Sequence, residues 1–442
     1  MQLIGREKEL NSLKEFFSTN RAELIFVSGP RRVGKTTLLM NFIETHGGIY
    51  LLSRDTTLID NLSRFSSVIS QELNDELVRV NPLLSWDAFF EYLSRLRGRV
   101  LVVLDEFPYL LKSSPDLPSI LQSWWDMKLS RTQIMLVLMG SSVSMMEKLA
   151  EYKSPIYGRR TGQIRLNPFG YSEVPKFLPE YKDEDNAIVY GILGGMPAYL
   201  RSFDGNHSVW ENLKNKYLSS SSVLYIDPVF VLRDELDEPR RYFAILESIS
   251  KGKNTISEIR DTTGLATSIL SKYLSVLIDL GLVKKFLPFG MRRNGRYFIV
   301  DNYFDFWFRF IYPNSDLIES GRSEQVLEII KNDLNHYMGK IYERIVREYL
   351  SRTLIGVAPL WFHDMEIDLV GKEMDGSVAV AEVEWSDLTE RDVSRELEKL
   401  RNKVLDLKIG RVMKHLLFIK KMEGKHMPGV IELSEIYQRS DL

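Results

Sequence analysis

Apolar residues fall into two kinds of run along this 442-residue chain. Leu24–Ser28, Arg99–Glu106 and Gln133–Gly140 are short and rich in Leu, Ile and Val, with little polar alternation. Such runs are buried on both faces and predict central parallel strands. Gly48–Ser53 and Gly162–Pro168 read as two further strands. The segments between them follow helical spacing instead. Leu10, Leu13, Phe16 and Phe17 share a face, as do Trp86, Phe89, Phe90 and Leu93 within residues 57–97, and Trp124 and Trp125 lie on another amphipathic helix. Five strands with intervening helices predict a doubly wound α/β sheet, with a ligand site at the strand carboxyl ends.

From about residue 239 the pattern changes. Arg241–Ile249, Thr255–Arg260 and Thr267–Leu280 read as three helices, the second capped by Thr255 or Asn254 with Glu258 placed for a capping box, the third stopped by Gly281. Leu282-Val-Lys-Lys-Phe-Leu-Pro and Arg296-Tyr-Phe-Ile-Val frame a hairpin. Three helices and a hairpin make a winged helix-turn-helix. Its third helix offers Thr267, Ser268, Ser271 and Lys272, and its wing offers Lys284, Lys285, Arg292, Arg293 and Arg296. Small polar residues suit a groove, and cations suit phosphates, so double-stranded DNA is the expected partner.

Composition narrows the classes. The formal charge is −2, so nucleic-acid contact must be a local patch and not a global field. There is no Cys, which excludes disulfides and thiolate metal sites. The charged start, Met1-Gln-Leu-Ile-Gly-Arg-Glu-Lys-Glu, lacks an apolar signal region, and no apolar run approaches a membrane span. A cytoplasmic protein with no membrane association is expected.

The chemistry centres on Gly29-Pro30-Arg31-Arg32-Val33-Gly34-Lys35-Thr36, a G-x-x-x-x-G-K-T loop between a strand and a helix that begins with Thr37. Its backbone N–H groups cradle phosphates, Lys35 reaches the β- and γ-phosphates, and Thr36 can hold Mg²⁺. Asp105 ends a buried strand and is expected in the Mg²⁺ shell, and Glu106 beside it can polarise the attacking water. The cofactors expected are ATP and Mg²⁺.

Several motifs carry family resemblances. Ile4-Gly5-Arg6-Glu7 resembles the opening of many AAA+ and STAND ATPases, which implies adenine contacts at Gly5 and Arg6. Ser141, at a strand tip, resembles the sensor-1 position. Arg159 and Arg160, in Ser154-Pro-Ile-Tyr-Gly-Arg-Arg, could neutralise charge in phosphoryl transfer, in cis or in trans. Together with Leu104-Asp-Glu-Phe-Pro-Tyr-Leu110, Leu166-Asn-Pro-Phe-Gly170 and Gly194-Gly-Met-Pro-Ala-Tyr-Leu200, these closely resemble the archaeal ATPase family of P-loop NTPases over residues 1 to about 235. The resemblance implies a helical lid, with Pro197 near the nucleotide as in the STAND Gly-x-Pro motif.

The last stretch pairs Glu343 on a helix with Asp368, Glu382 and Glu384 on strands. It resembles the PD-(D/E)xK restriction-endonuclease-like fold, whose carboxylates (here Asp368 and Glu382) bind metal. Glu384 stands where that fold needs a Lys, so cleavage is expected to be lost unless Lys372 or Lys399 substitutes. The expected domains are a P-loop ATPase core at 1–170, a helical lid at 171–235, the winged helix at 236–312 and the nuclease-like α/β domain at 313–442. The expected function is a Mg-dependent ATPase acting as a nucleotide-controlled switch on a DNA-binding winged helix. An ATP-regulated nuclease, and a STAND-like scaffold with protein partners or self-association, are the alternatives.

Overall fold

β1 (Glu23–Ser28) is buried at every position, which is why its sequence shows no alternation. It lies inside a parallel five-stranded sheet with β2 (Ile49–Leu52), β3 (Val100–Asp105), β4 (Ile134–Gly140) and β5 (Gly162–Arg165), in the order β2-β3-β4-β1-β5. The computed structural model describes residues 3–236, 238–362, 365–407 and 412–438. They form two compact units, Met1–Pro168 and Phe169–Leu442.

In the first unit α1 (Glu7–Ser18) precedes the sheet, and α2 (Lys35–His46) follows β1 directly. Ser28 pairs in register with Gly140 of β4, and Leu52 with Asp105 of β3, so the functional ends of the strands lie together. The stretch 57–97, with its helical spacing, forms three helices, Leu58–Leu73, Glu76–Val80 and Trp86–Arg95. Asn74 ends the first in the left-handed region at φ 51°, Asp75 caps the second and Ser85 the third. β5 stops at Arg165, short of Pro168, although the Leu166 N–H still donates to Ser28 O at 2.8 Å.

The second unit opens with helices that include Asp183–Leu193 and Pro197–Leu200. α3 (Pro239–Ser250), α4 (Ile256–Thr263), α5 (Thr267–Asp279) and the antiparallel pair β6 (Val283–Phe286) and β7 (Arg296–Ile299) make the winged helix-turn-helix. The capping box of Thr255 and Glu258 is formed. A 28-residue helix, α6 (Ser323–Leu350), leads into a mixed sheet of β8 (Ile355–Phe362), β9 (Met365–Lys372), β10 (Val378–Thr389), β11 (Val412–Glu423) and β12 (Val430–Glu432). Its order is β12-β11-β10-β9-β8, parallel from β10 to β12 and antiparallel from β8 to β10. Alternate residues separate the two faces. Val378 and Val380 pack with Leu400 of α7 (Glu390–Leu407), whereas Trp385 meets Tyr342 of α6. Among the described residues no helix is long and apolar enough to cross a membrane.

Candidate functional site

The loop after β1 is shaped by its glycines. Gly29 has φ 156°, and a Cβ there would lie 2.4 Å from Leu166 O; Gly34 has φ 95°. Neither position suits a residue with a side chain. Lys35 starts α2 and folds back over the loop, its Nζ donating to Gly29 O at 2.8 Å and Pro30 O at 3.0 Å. Burial pushes its ammonium down to about 8, against the opposing pull of Glu106 and Asp105. Val33 is buried, while Arg31, Arg32 and Thr36 are exposed and Thr37 is half-buried.

Asp105 is the junction of the site. The Thr36 hydroxyl donates to its Oδ2 at 3.4 Å, the Tyr50 hydroxyl donates to the same oxygen, and its Oδ1 accepts the Glu106 N–H at 2.7 Å. Burial raises the Asp105 carboxyl above the usual range, and the Tyr50 bond opposes this. A hydroxyl and a carboxylate converging beside a lysine are a hard-oxygen donor set that suits Mg²⁺. Tyr50 escaped the reading of the sequence, where it is only a strand residue. The available signal was a hydroxyl on the strand that pairs with β3.

Glu106 occupies the left-handed region at φ 50° and ψ 45°, a conformation that costs a non-glycine residue on the order of 1 kcal/mol. Its two carboxylate oxygens accept from Ser141 Oγ at 2.9 and 2.8 Å. Ser141 therefore touches the carboxylate that the sequence assigns to water.

The remaining candidates in this unit are engaged within it. The buried Arg6 guanidinium donates to Val33 O at 3.1 Å and Asn167 O at 2.8 Å, tying the loop to the Leu-Asn-Pro segment. Its side chain braces the loop, and Gly5 before it has φ 64°. Arg159 forms a two-pronged pair with Asp126 at 3.2 and 2.8 Å. Arg160 donates to Gln163 and lies 5.6 Å from the Phe26 ring centre.

In the second unit Pro197 begins its short helix. Just before it Gly195 accepts the Phe169 N–H at 2.8 Å, and a Cβ on Gly195 would sit 1.7 Å from Phe169 O. Two of the sequence motifs thus meet backbone to backbone.

The winged helix divides its cations. Leu270, Tyr273, Leu274 and Leu277 of α5 face inward, leaving Thr267, Ser268, Ser271 and Lys272 exposed. Lys284, Lys285, Arg292 and Arg293 are exposed as well. Arg296 is not with them: it pairs with Glu366 at 3.2 Å and stacks 4.3 Å from the Trp361 ring centre. The β6–β7 turn is docked on β8, with Phe289 N–H donating to Pro359 O and Trp361 Nε1 to Asn294 O, both at 2.9 Å. Phe289 and Met291 pack on the core of the C-terminal sheet. Arg296 thus differs from the other wing cations, since its guanidinium is partly buried and already paired with Glu366.

The C-terminal acids are placed on neighbouring strands. Asp368 Oδ2 accepts the Val383 N–H at 2.8 Å, and burial and then Glu382 and Glu343 raise its carboxyl well above the ordinary range. Among the described residues no three His, Asp or Glu side chains form a metal-holding group. Glu384 follows Glu382 on the same face, and burial, Glu396 and Glu382 raise it. The expectation that no cation stands near unless Lys372 or Lys399 supplies one is corrected. Lys403 of α7 reaches Glu382 Oε1 at 2.8 Å, while Lys399 pairs with Glu396 at 2.9 Å and Lys372 lies 5.9 Å from the Phe289 ring centre. Only the helical spacing of Lys399 and Lys403 hinted at this.

Three family models match the chain: an ATPase domain predominantly from Archaea over residues 3–203, a bacterial regulatory protein of the arsR family over 243–285, and archaeal and bacterial proteins of unknown function over 307–395. The uncharacterized protein MJECL04 of Methanocaldococcus jannaschii is 32% identical over 437 residues, 96% of each chain. Among solved structures, the Walker-type ATPase PABY2304 of Pyrococcus abyssi is similar in fold, with 22% identity, a TM-score of 0.55, and 69% of this chain and 96% of that one covered. The Aeropyrum pernix ORC2 protein in ADPNP–ADP complexes aligns more loosely, with 15% identity and a TM-score of 0.45 over 75% of this chain and 96% of that one. With the loop, the strand-end acid pair and the near full-length relative in place, the chain belongs to the family of ATPase domains found predominantly in Archaea.

Proposed function

We propose that this ATPase is a nucleotide-controlled switch in which Mg-ATP binding and hydrolysis govern a winged helix that binds double-stranded DNA. The observation that carries the reading is the array Lys35, Thr36, Asp105, Glu106 and Ser141 at the ends of β1, β3 and β4. In it Gly29 to Thr37 cradle the phosphates and Lys35 takes the terminal ones. Thr36 and Asp105 would hold Mg²⁺, which when bound neutralises charge on the phosphoryl oxygens. Glu106 orients water and accepts its proton, and Ser141 holds the Glu106 carboxylate in place. Arg160 and Arg159 are the cations proposed for transition-state charge, in cis or in trans. Arg159 would first leave Asp126, an exposed pair of the kind that contributes little to stability. Gly5 and Arg6 edge the adenine through their backbone, and Pro197 belongs to the lid that follows the core. Functional divisions at 1–170, 171–235, 236–312 and 313–442 accompany this scheme.

DNA contact is assigned to Lys272 on α5 and to Lys284, Lys285, Arg292 and Arg293 of the wing, exposed cations in a chain of net charge −2. The decisive measurement is the ATPase rate with and without duplex DNA. Lys35→Ala should lose ATP binding, whereas Glu106→Gln should keep it and lose turnover about 10²- to 10⁴-fold. Wild-type turnover in Glu106→Gln would remove Glu106 from its role, and a rate indifferent to DNA would remove the coupling.

A second reading, a nucleotide-regulated nuclease, draws on Lys403, which brings a cation to the Asp368 and Glu382 pair. Mg²⁺- or Mn²⁺-dependent degradation of DNA that stops in Asp368→Ala would favour it.

A further inference from the structure

Within the second unit, a cavity of about 280 Å³ lies among the winged helix, α6 and the first strands of the C-terminal sheet. Its walls hold the cations Arg296, Arg309, Lys340, Arg344 and Arg347. The carboxylates lining it are Asp305, Glu343, Glu366 and Asp368, so the wall carries one net formal positive charge. Three of the cations are matched. Arg344 bonds Asp305, and Asn302 at 2.7 Å; Arg309 bonds Asp333 at 2.6 Å; Arg296 bonds Glu366 at 3.2 Å.

Lys340 and Arg347 have no hydrogen-bond or ion-pair partner among the described residues. They are seven residues apart on α6 and so share a face. Arg347 is braced 4.2 Å from the Phe286 ring centre. Burial, and then the neighbouring Arg344, hold its guanidinium down at about 10; burial and then Arg309 lower the Lys340 ammonium. Glu343, between them on the helix, attracts both, but makes no hydrogen bond or ion pair with either, so two cations taken partly out of water are incompletely compensated and a further anion would lower that cost. Phe286, Phe298, Tyr337 and Trp361 add aromatic surface to a wall otherwise made of aliphatic and small polar residues, and this surface suits a flat ring. Glu343 and Asp368 line the same space and would repel a polyanion, which selects a single phosphate group. The volume lies at the small end of ligand pockets.

We propose that this cavity is a second nucleotide site, taking a mononucleotide-sized phosphate monoester whose phosphate is bound by Lys340 and Arg347. It contains no residue of the Gly29–Thr37 loop and does not depend on the function proposed for that loop. The monoester is either a free mononucleotide or the 5′-phosphorylated end of a DNA strand.

The test uses the full chain carrying Lys35→Ala, which silences the P-loop, with AMP as probe in isothermal titration calorimetry. AMP should bind and raise the melting temperature. Adding Lys340→Gln and Arg347→Gln should weaken binding at least tenfold, while Lys340→Arg retains it. The unliganded Lys340→Gln chain should melt no lower than its parent, because an unmatched cation has gone; a merely structural lysine would lower it. A 5′-phosphorylated duplex that displaces AMP when the 5′-hydroxyl duplex does not would identify a DNA end as the source, and AMP binding without such displacement would identify the free nucleotide. Failure of AMP to bind at millimolar concentration, or unchanged binding in the double variant, overturns the proposal. If the double variant does not fold, Lys340→Gln alone decides by the same tenfold criterion.

Discussion

Lys35 carries a poorly solvated charge in the candidate ATPase site. Its ammonium, pushed down to about 8 by burial, is held by two carbonyls. Phosphate oxygens would favour the charged form and raise that value. Below pH 8 the lysine is already protonated, so binding moves no proton there. Above pH 8 the free protein has lost the proton and must regain it on binding. ATP affinity should therefore fall as pH rises from about 8 towards 10, with proton uptake visible when calorimetry is repeated in buffers of different ionisation enthalpy. Equal heats in all buffers at pH 9 would contradict this. Ser141 gives a second expectation at this scale. Removing its hydroxyl frees the Glu106 carboxylate, so Ser141→Ala should lower kcat by about tenfold with little change in KM, a loss in the range of one hydrogen bond to a charged group. Unchanged kcat would leave Ser141 a structural residue.

At the scale of elements, α5 and the wing part company. α5 keeps an exposed polar face, while the wing turn is docked on β8 through Phe289, Met291 and Trp361. DNA affinity should lose about 0.9 of salt slope for each of Lys272→Ala, Arg292→Ala and Arg293→Ala, read from affinities across a salt series. Arg296→Ala should leave that slope alone and instead lower stability by about 1 kcal/mol, since it loses a ring contact and a partly buried ion pair. A flattened slope for Arg296→Ala would return this residue to the DNA surface. The helices themselves were legible because their signals are local. The capping box of Thr255 and Glu258 spans three residues, and the Gly281 stop adjoins its helix. The docking of the wing was not legible, because Arg296 and Glu366 lie 70 residues apart and meet only through packing.

At the scale of the whole molecule, the C-terminal sheet asks whether acids on β9 and β10 do chemistry. Glu384 lies beside Glu382 and Glu396, where a third carboxylate opposes charge building on a phosphate. The natural chain should cut DNA slowly or not at all with Mg²⁺ or Mn²⁺. Glu384→Lys places a second cation beside Lys403 and should raise any metal-dependent cleavage, measured on labelled duplex. Robust cleavage by the natural chain that depends on Asp368 and Lys403 would overturn the inactive reading and name Lys403 as the missing charge.

Local order in the sequence was enough to determine the five parallel strands, the nucleotide loop, the acid pair at Asp105 and Glu106, and the three helices of the winged helix. Each depends on burial periodicity or on residues a few positions apart, and those constraints act before any long-range contact forms. Tertiary structure alone decided which side chains meet. Strand order put Tyr50 on Asp105, and Ser141, 35 residues away, on Glu106. Packing spent Arg6 on the loop, withdrew Arg296 from the wing surface, and carried Lys403 to Glu382. It also gathered Lys340 and Arg347 around a cavity that no motif announces. Such contacts depend on the order and register of distant elements, which hydrophobic pattern constrains only through the burial they share.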